Sequence, residues 1–182
     1  MIMQTYISIL RGINVSGQKL IKMDALRAMY ESLNFTHVKN YVQSGNIIFS
    51  ADETATKSLE EKISSQIEKD FGFEVPVLVM TKNELEEIIA ANPFADSPEK
   101  DPTALYVTFL AANVSDFDLD RIEEKAQKDE QIYIGSKAVY LYCPHGYGKT
   151  KLNNTFLERS LKTKATTRNW KTTKKLLELA VR

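Results

Sequence analysis

The segment Val38–Ser50 restricts the fold more than any other part of the chain. Two short runs, Val38–Gln43 and Asn46–Ser50, flank Ser44-Gly45, a combination that reads as a β-hairpin. An amphipathic helix pattern lies on each side. Upstream, Met23, Leu26, Met29, Tyr30 and Leu33 recur at three- and four-residue spacing over Met23–Leu33, and Asn34 suits the left-handed position that closes such a helix. Downstream, Leu59, Ile63 and Ile67 mark one face of a helix over Lys57–Phe71, with Gly72 at its end. A strand at Thr5–Leu10 comes before this set. Another at Val75–Met80 follows it, with Pro76 favouring an edge or a first position. A hairpin between two helices, bracketed by two strands, gives the order β-α-β-β-α-β. That order predicts a ferredoxin-like half, an antiparallel sheet with two helices on one face.

The remainder repeats the theme. Thr81-Lys82-Asn83-Glu84 has the form of a capping box opening a helix to about Ala91, which Asn92-Pro93 ends. Ala95–Thr103, with Pro98 and Pro102 among charged residues, reads as a linker. Then come a strand over Ala104–Leu110, an acidic helix over Ser115–Lys128 with a solvated face, and strands over Gln131–Ile134 and Ala138–Cys143 joined at Gly135-Ser136. A helix over Lys151–Leu161, a polar segment Lys162–Asn169 and a helix over Trp170–Val181 complete the chain. The expectation is an α+β fold of two ferredoxin-like halves with antiparallel sheets, the second ending in two helices, the last of them where the fourth strand would be. Residues 1–95, including the helix at 81–91, form the first half, and residues 96–182, with the basic C-terminal helices, the second.

Composition narrows the setting. With 182 residues, 43% hydrophobic and 26% charged, the chain is an ordinary globular one, so disorder and fibrous repeats are poor readings. Cys143 is the single cysteine, which excludes an internal disulfide or a cysteine-based zinc cage and fits a reducing, cytoplasmic setting. Met1–Leu10 reads as a first strand rather than a signal peptide, and no apolar run is long enough to cross a bilayer, so no membrane partner is expected. Net charge is zero but segregated. Residues 1–142 carry 14 Lys/Arg against 22 Asp/Glu, and residues 143–182 carry 10 against 2. Such asymmetry bears on partners: phosphates, an acidic partner, or the acidic remainder of the same chain.

Several segments approach known chemistry and stop short. Gly12-Ile13-Asn14-Val15-Ser16-Gly17-Gln18-Lys19 has Gln18 where a phosphate loop needs lysine, and Leu20 replaces the magnesium-binding hydroxyl. Cys143–Thr150 ends correctly in Gly-Lys-Thr but lacks the first glycine. Both loops still offer clustered N–H groups and a nearby cation to an anion, or simply turn the chain. Cys143 and His145 are a nucleophile and a base by type only, since Cys143 shares a strand face with Val139 and Leu141 and reads as a small core residue. Neither histidine, His37 or His145, has a second ligand at helical spacing, so no metal and no cofactor are expected. Tyr6, Tyr140 and Tyr142 suit packing better than a base-stacking platform. On the last helix, Lys171, Lys174, Lys175 and Arg182 share one side, with Trp170, Leu177 and Val181 on another facing the sheet. Arg159, Lys162, Lys164 and Arg168 lie just upstream. This stripe suits electrostatic tracking of phosphates, and equally a solvated face with internal pairs such as Lys174 with Glu178.

Leu10-Arg11-Gly12-Ile13-Asn14-Val15, Tyr41-Val42-Gln43-Ser44-Gly45-Asn46, Asn92-Pro93-Phe94 and Thr166-Thr167-Arg168-Asn169-Trp170, in this order, resemble the motifs of domain-of-unknown-function family 1697. Ser16 stands where that family often has a second glycine, and Asn34 where glycine usually ends the first helix. The resemblance implies a stand-alone bacterial cytosolic protein with ferredoxin-like halves, and no particular activity. Carried onto this chain, the motif positions Arg11, Gly12, Asn14, Ser44, Gly45, Asn46, Arg168 and Asn169 become candidate ligand-binding residues meeting at one polar groove near the basic C-terminal segment. Alternatively they are turns and caps, with Thr167 or Asn169 as a helix N-cap and Trp170 as a core anchor.

Three readings fit these residues. The first is a non-catalytic module for phosphate-bearing ligands, nucleic acid foremost, using Lys149, Lys151, Arg168, Lys171, Lys174 and Lys175. It requires that these cations share an open surface and that binding weaken steeply with salt. The second is a small-molecule enzyme in which Arg11, Asn14 and Arg168 hold an anionic substrate, which requires a closed pocket and a titratable group of shifted pKa. The third is a scaffold or homodimer pairing through sheet edges. The first is preferred, and catalysis is left open.

Overall fold

The computed structural model describes residues 2–181; Met1 and Arg182, the latter the expected last member of the basic stripe, lie outside the described residues. The chain forms two units. One runs up to Glu86 and takes in the residues from Leu176 onward, and the other spans Glu87–Lys175.

In the first unit six elements follow in the expected order: β1 (Met3–Leu10), α1 (Met23–Ser32), β2 (Thr36–Tyr41), β3 (Asn46–Asp52), α2 (Thr56–Phe71) and β4 (Val77–Thr81). The strands pair antiparallel in the order β2-β3-β1-β4, the ferredoxin-like arrangement. Alternation along the strands sends Tyr6, Leu10, Ile47, Phe49 and Val79 into one core with Leu26 and Tyr30 of α1 and Leu59, Ile63 and Ile67 of α2. Inside that core Ser8 Oγ and Tyr30 Oη lie 2.8 Å apart, so two buried hydroxyls satisfy each other. Ile7, Ile9, Ile48, Leu78 and Met80, on the other face, are buried as well, which is why these strands read as nearly continuous apolar runs. β4 is an edge strand that begins just after Pro76 rather than at Val75, and the Pro76 carbonyl accepts the Arg11 N–H at 3.1 Å. Gly72 (φ 82°) closes α2 by donating to the Glu68 carbonyl at 2.9 Å, and Asn34 (φ 67°) takes the expected left-handed turn after α1. The capping box is formed as read. Thr81 N–H donates to Glu84 Oε2 at 3.0 Å and Glu84 N–H to Thr81 Oγ1 at 3.1 Å, opening α3 (Lys82–Ala90).

The second unit runs β5 (Leu105–Leu110), α4 (Leu119–Glu123), β6 (Gln131–Ile134), β7 (Ala138–Tyr142), α5 (Asn154–Leu161) and β8 (Ala165–Asn169), and α6 (Trp170–Ala180) starts in it, its residues from Leu176 onward being counted with the first. Its sheet order, β6-β7-β5-β8, repeats that of the first, again antiparallel throughout. The two helices of the C-terminal region are present, but a fourth strand separates them, where a polar segment was expected. Ala165–Asn169 has no aliphatic alternation, and its strand character comes from pairing with β5, Ala165 opposite Leu110 and Thr167 opposite Thr108. The acidic helix expected over Ser115–Lys128 is also corrected, to the five residues of α4. Asp118 is the residue that caps it, accepting the Arg121 N–H at 3.1 Å. Beyond it, Asp129 (φ 71°) and the bond from Gln127 N–H to Glu130 Oε1 turn the chain toward β6. On α6 the buried positions are Trp170, Thr172, Thr173, Leu176 and Ala180, whereas Leu177 is half-buried and Val181 is 56% exposed. Thr173 tolerates burial because its hydroxyl donates to the Asn169 carbonyl at 2.9 Å.

Candidate functional site

The first-unit motif residues come together at the end of the sheet where β1 leaves it and the β2–β3 hairpin turns. Gly45 N-terminal to β3 offers its carbonyl to Leu10 N–H at 2.9 Å. Its φ is 88°, and a Cβ there would lie 2.8 Å from Ile13 Cδ1 and 2.9 Å from Leu10 Cβ, so only glycine lets the hairpin lie against the loop. Gly12 also has positive φ (81°), but open space where a Cβ would be. Asn14 ties the two segments. Its Nδ2 donates to the Gln43 carbonyl at 2.8 Å and the Ile21 carbonyl at 3.0 Å, and its Oδ1 accepts the Ile21 N–H at 2.8 Å. Asn46 is buried and donates to the Tyr41 carbonyl at 2.9 Å and Ser44 Oγ at 3.1 Å. Arg11 is half-buried beside them. Around this braced polar centre, Val15, Leu20 and Val42 are exposed.

Arg168, Asn169 and the candidate lysines belong to the second unit, with their own geometry. Tyr142 at the end of β7 pairs with Leu105 at the start of β5, and Asn169 at the end of β8 pairs with Tyr106. The loop after β7 and the start of α6 therefore leave the sheet at one end. Lys149, in the short 3-10 turn Tyr147–Lys149, and Lys151 are exposed in that loop; Lys171 and Lys174 are exposed on the first turns of α6, and Lys175 is half-buried. Lys174 Nζ sits 5.8 Å from the Trp170 ring centroid. Two exposed carboxylates, Glu99 and Asp101, precede β5 at the same end. Asn169 caps α6, its Oδ1 accepting the Thr172 N–H at 2.8 Å, and Asn153 caps α5 through the Phe156 N–H at 3.0 Å. Arg168 is half-buried; desolvation pulls its guanidinium down to about 10, which leaves it charged at neutral pH.

A hydroxyl network that the sequence reading did not anticipate joins these parts. Thr167 Oγ1 lies 2.7 Å from both Thr108 Oγ1 and Asn154 Oδ1, and Tyr147 Oη donates to it at 3.2 Å. Because the one Thr167 proton goes to Asn154, Thr108 must be the donor in its pair. The rings of Tyr106 and Tyr147 lie tilted against each other, their centroids 5.2 Å apart. No local signal marks this network, since its members are brought together by strand register.

The remaining chemical candidates are quiet. Cys143 is buried, and burial together with the nearby Glu130 carboxylate pushes its thiol up to about 12. The exposed His145 ring lies 3.0 Å from the Lys128 carbonyl. Tyr6 and Tyr140 are buried, Tyr140 donating to the Ile88 carbonyl at 2.6 Å, and Lys100 lies over the Tyr142 ring at 5.3 Å. Among the described residues no group of three or more His, Cys, Asp or Glu is arranged to hold a metal, and no helix is long and apolar enough to cross a membrane. Between α4 and α5 the second unit carries a hollow of about 630 Å³, floored by Phe117, Ile122 and Phe156.

Two ferredoxin-like halves in tandem, each an antiparallel four-stranded sheet with helices, define the class of protein. The chain belongs to the family described as protein of unknown function (DUF1697), whose model matches residues 3–140. It is similar to the conserved bacterial protein SP0830 from Streptococcus pneumoniae, with 25% identity and a TM-score of 0.73 over 98% of this chain and 99% of that one. No curated protein matches it.

Proposed function

We propose that this protein is a non-catalytic binding module for phosphate-bearing ligands, nucleic acid foremost, acting in the bacterial cytoplasm. The contact surface is the end of the second sheet, with Lys149, Lys151, Lys171 and Lys174 touching phosphates, and Lys175 and Arg168 adding positive potential behind them. One observation carries the reading: four exposed cations on two separate segments emerge at the same sheet end. The starts of α5 and α6 lie there too, and helix N-termini favour negative charge. Contacts of this kind hold the backbone and read no sequence. The enzyme alternative built on Arg11 and Asn14 has less support, because the Asn14 amide is already engaged by three backbone groups.

The test is a salt series of fluorescence anisotropy with labelled single- and double-stranded oligonucleotides. Affinity for single strands is expected to fall with log salt at a slope near 0.7 per contacted phosphate, and Lys171→Ala/Lys174→Ala/Lys175→Ala, which removes two phosphate contacts, should flatten that slope by about 1.4. Absence of binding at low salt ends this reading.

A further inference from the structure

The second unit departs from the first in one respect. In the first, α1 (10 residues) and α2 (16 residues) touch each other over the sheet. In the second, the corresponding α4 and α5 have 5 and 8 residues, and the space between them is the 630 Å³ hollow. That volume falls within the range of small-molecule sites, about 300–1,000 Å³.

Its lining is of three kinds. Phe117, Ile122 and Phe156 supply an apolar floor continuous with the core. Arg121, Lys125, Arg159 and Lys162 supply four cations, and among the described residues none of their side chains makes an ion pair or hydrogen bond. Asp116 and Asp118 add two carboxylates, and Ser160 a hydroxyl. Four unpaired, solvent-exposed cations around two half-buried aromatic rings call for an anion with a flat apolar body. The carboxylates call for something more: a simple organic anion would be repelled by them, whereas a ligand that also carries hydroxyl or amino donors would be held.

We infer that this hollow binds a nucleotide. The base lies against Phe117 and Phe156, the phosphate takes Arg121, Arg159 and Lys162, and the carboxylates accept from the sugar hydroxyls or an exocyclic amine. The site is separate from the lysine surface proposed above, so each can fail without the other. A free mononucleotide and the terminal nucleotide of an oligonucleotide share this chemistry.

Isothermal titration of the full chain with AMP, GMP, CMP and UMP, and with a trinucleotide to separate the two sources, tests the inference. At least one ligand is expected to bind with Kd below about 100 μM. Arg121→Gln/Arg159→Gln should weaken it about ten-fold or more, while Lys57→Gln/Lys69→Gln, an equal charge loss on exposed positions of α2, leaves it within about two-fold. Phe156→Ala, checked for folding by its melting transition, should lose the nucleotide yet keep whatever weak affinity the cations have for inorganic phosphate. Silence with all five ligands at millimolar concentration overturns the inference. So does equal affinity for inorganic phosphate or for 1-naphthyl phosphate, because neither carries both a base and donor groups.

Discussion

At the residue scale the loop-and-hairpin junction of the first unit separates backbone need from packing need. Gly12→Ala meets open space and incurs only the positive-φ penalty, about 1–2 kcal/mol. Gly45→Ala adds a clash with Ile13 and Leu10, and should cost about 2–4 kcal/mol by chemical denaturation. Equal costs at the two positions would show that the clash is relieved by movement of both Ile13 and the Leu10 backbone. Ser8→Ala leaves the buried Tyr30 hydroxyl without its partner and should cost about 1–3 kcal/mol in the same measurement, whereas Ser8→Ala combined with Tyr30→Phe should recover part of that loss. The glycines were legible as turn residues because their chemistry is local. Asn14 was legible only as polar: its partners Gln43 and Ile21 lie 29 and 7 residues away, and nothing in the sequence around it names them.

At the element scale, the first half was readable from its sequence because each helix there shows an apolar stripe and each end has a recognisable stop. The second half was readable only in order. β8 is built from Ala165, two threonines, an arginine and an asparagine, and edge pairing with β5 rather than side-chain pattern makes it a strand. The acidic run after β5 has helical composition, yet Asp118 starts the helix late and it stops at Glu123, after which the Lys125 and Ala126 N–H groups turn to the carbonyls three residues back. Helix caps give the cleanest test at this scale. Asn169→Ala should cost about 1 kcal/mol, and Asn169→Asp should restore it. If both variants keep oligonucleotide affinity while Asn169→Ala alone lowers the melting temperature, Asn169 is a cap rather than a ligand contact.

For the whole molecule, three buried groups tie stability to alkaline pH, and one of them, the wholly buried Tyr30 phenol, is pushed highest by its burial. Burial pushes the Cys143 thiol up from 9.0 to about 12, and burial with help from Tyr133 pushes the Tyr140 phenol up from 10.0 to about 12. Folding therefore favours the neutral forms: their contribution is complete below about pH 9 and is lost as pH rises toward 12. Melting temperatures between pH 8 and about 11 should fall, and Cys143→Ala should flatten the part due to the thiol. Iodoacetamide at pH 8 should leave native Cys143 unmodified and label it only after unfolding, a readout available by intact mass.

The sheet orders also govern how the chain is made. β1 leaves the ribosome first, but its partners are β3 and β4, so its second edge stays open until Thr81 has emerged; β5 waits in the same way for β8, which ends at Asn169. The 59 residues from Leu110 to Asn169 take about 3–12 s to synthesise at about 5–20 residues per second. For that interval a finished first sheet coexists with an apolar strand, Leu105–Leu110, whose backbone has no permanent neighbour on one or both sides. Translation speed between the codons for Leu110 and Asn169 thus sets how long each nascent chain offers a strand to its neighbours on the same polysome.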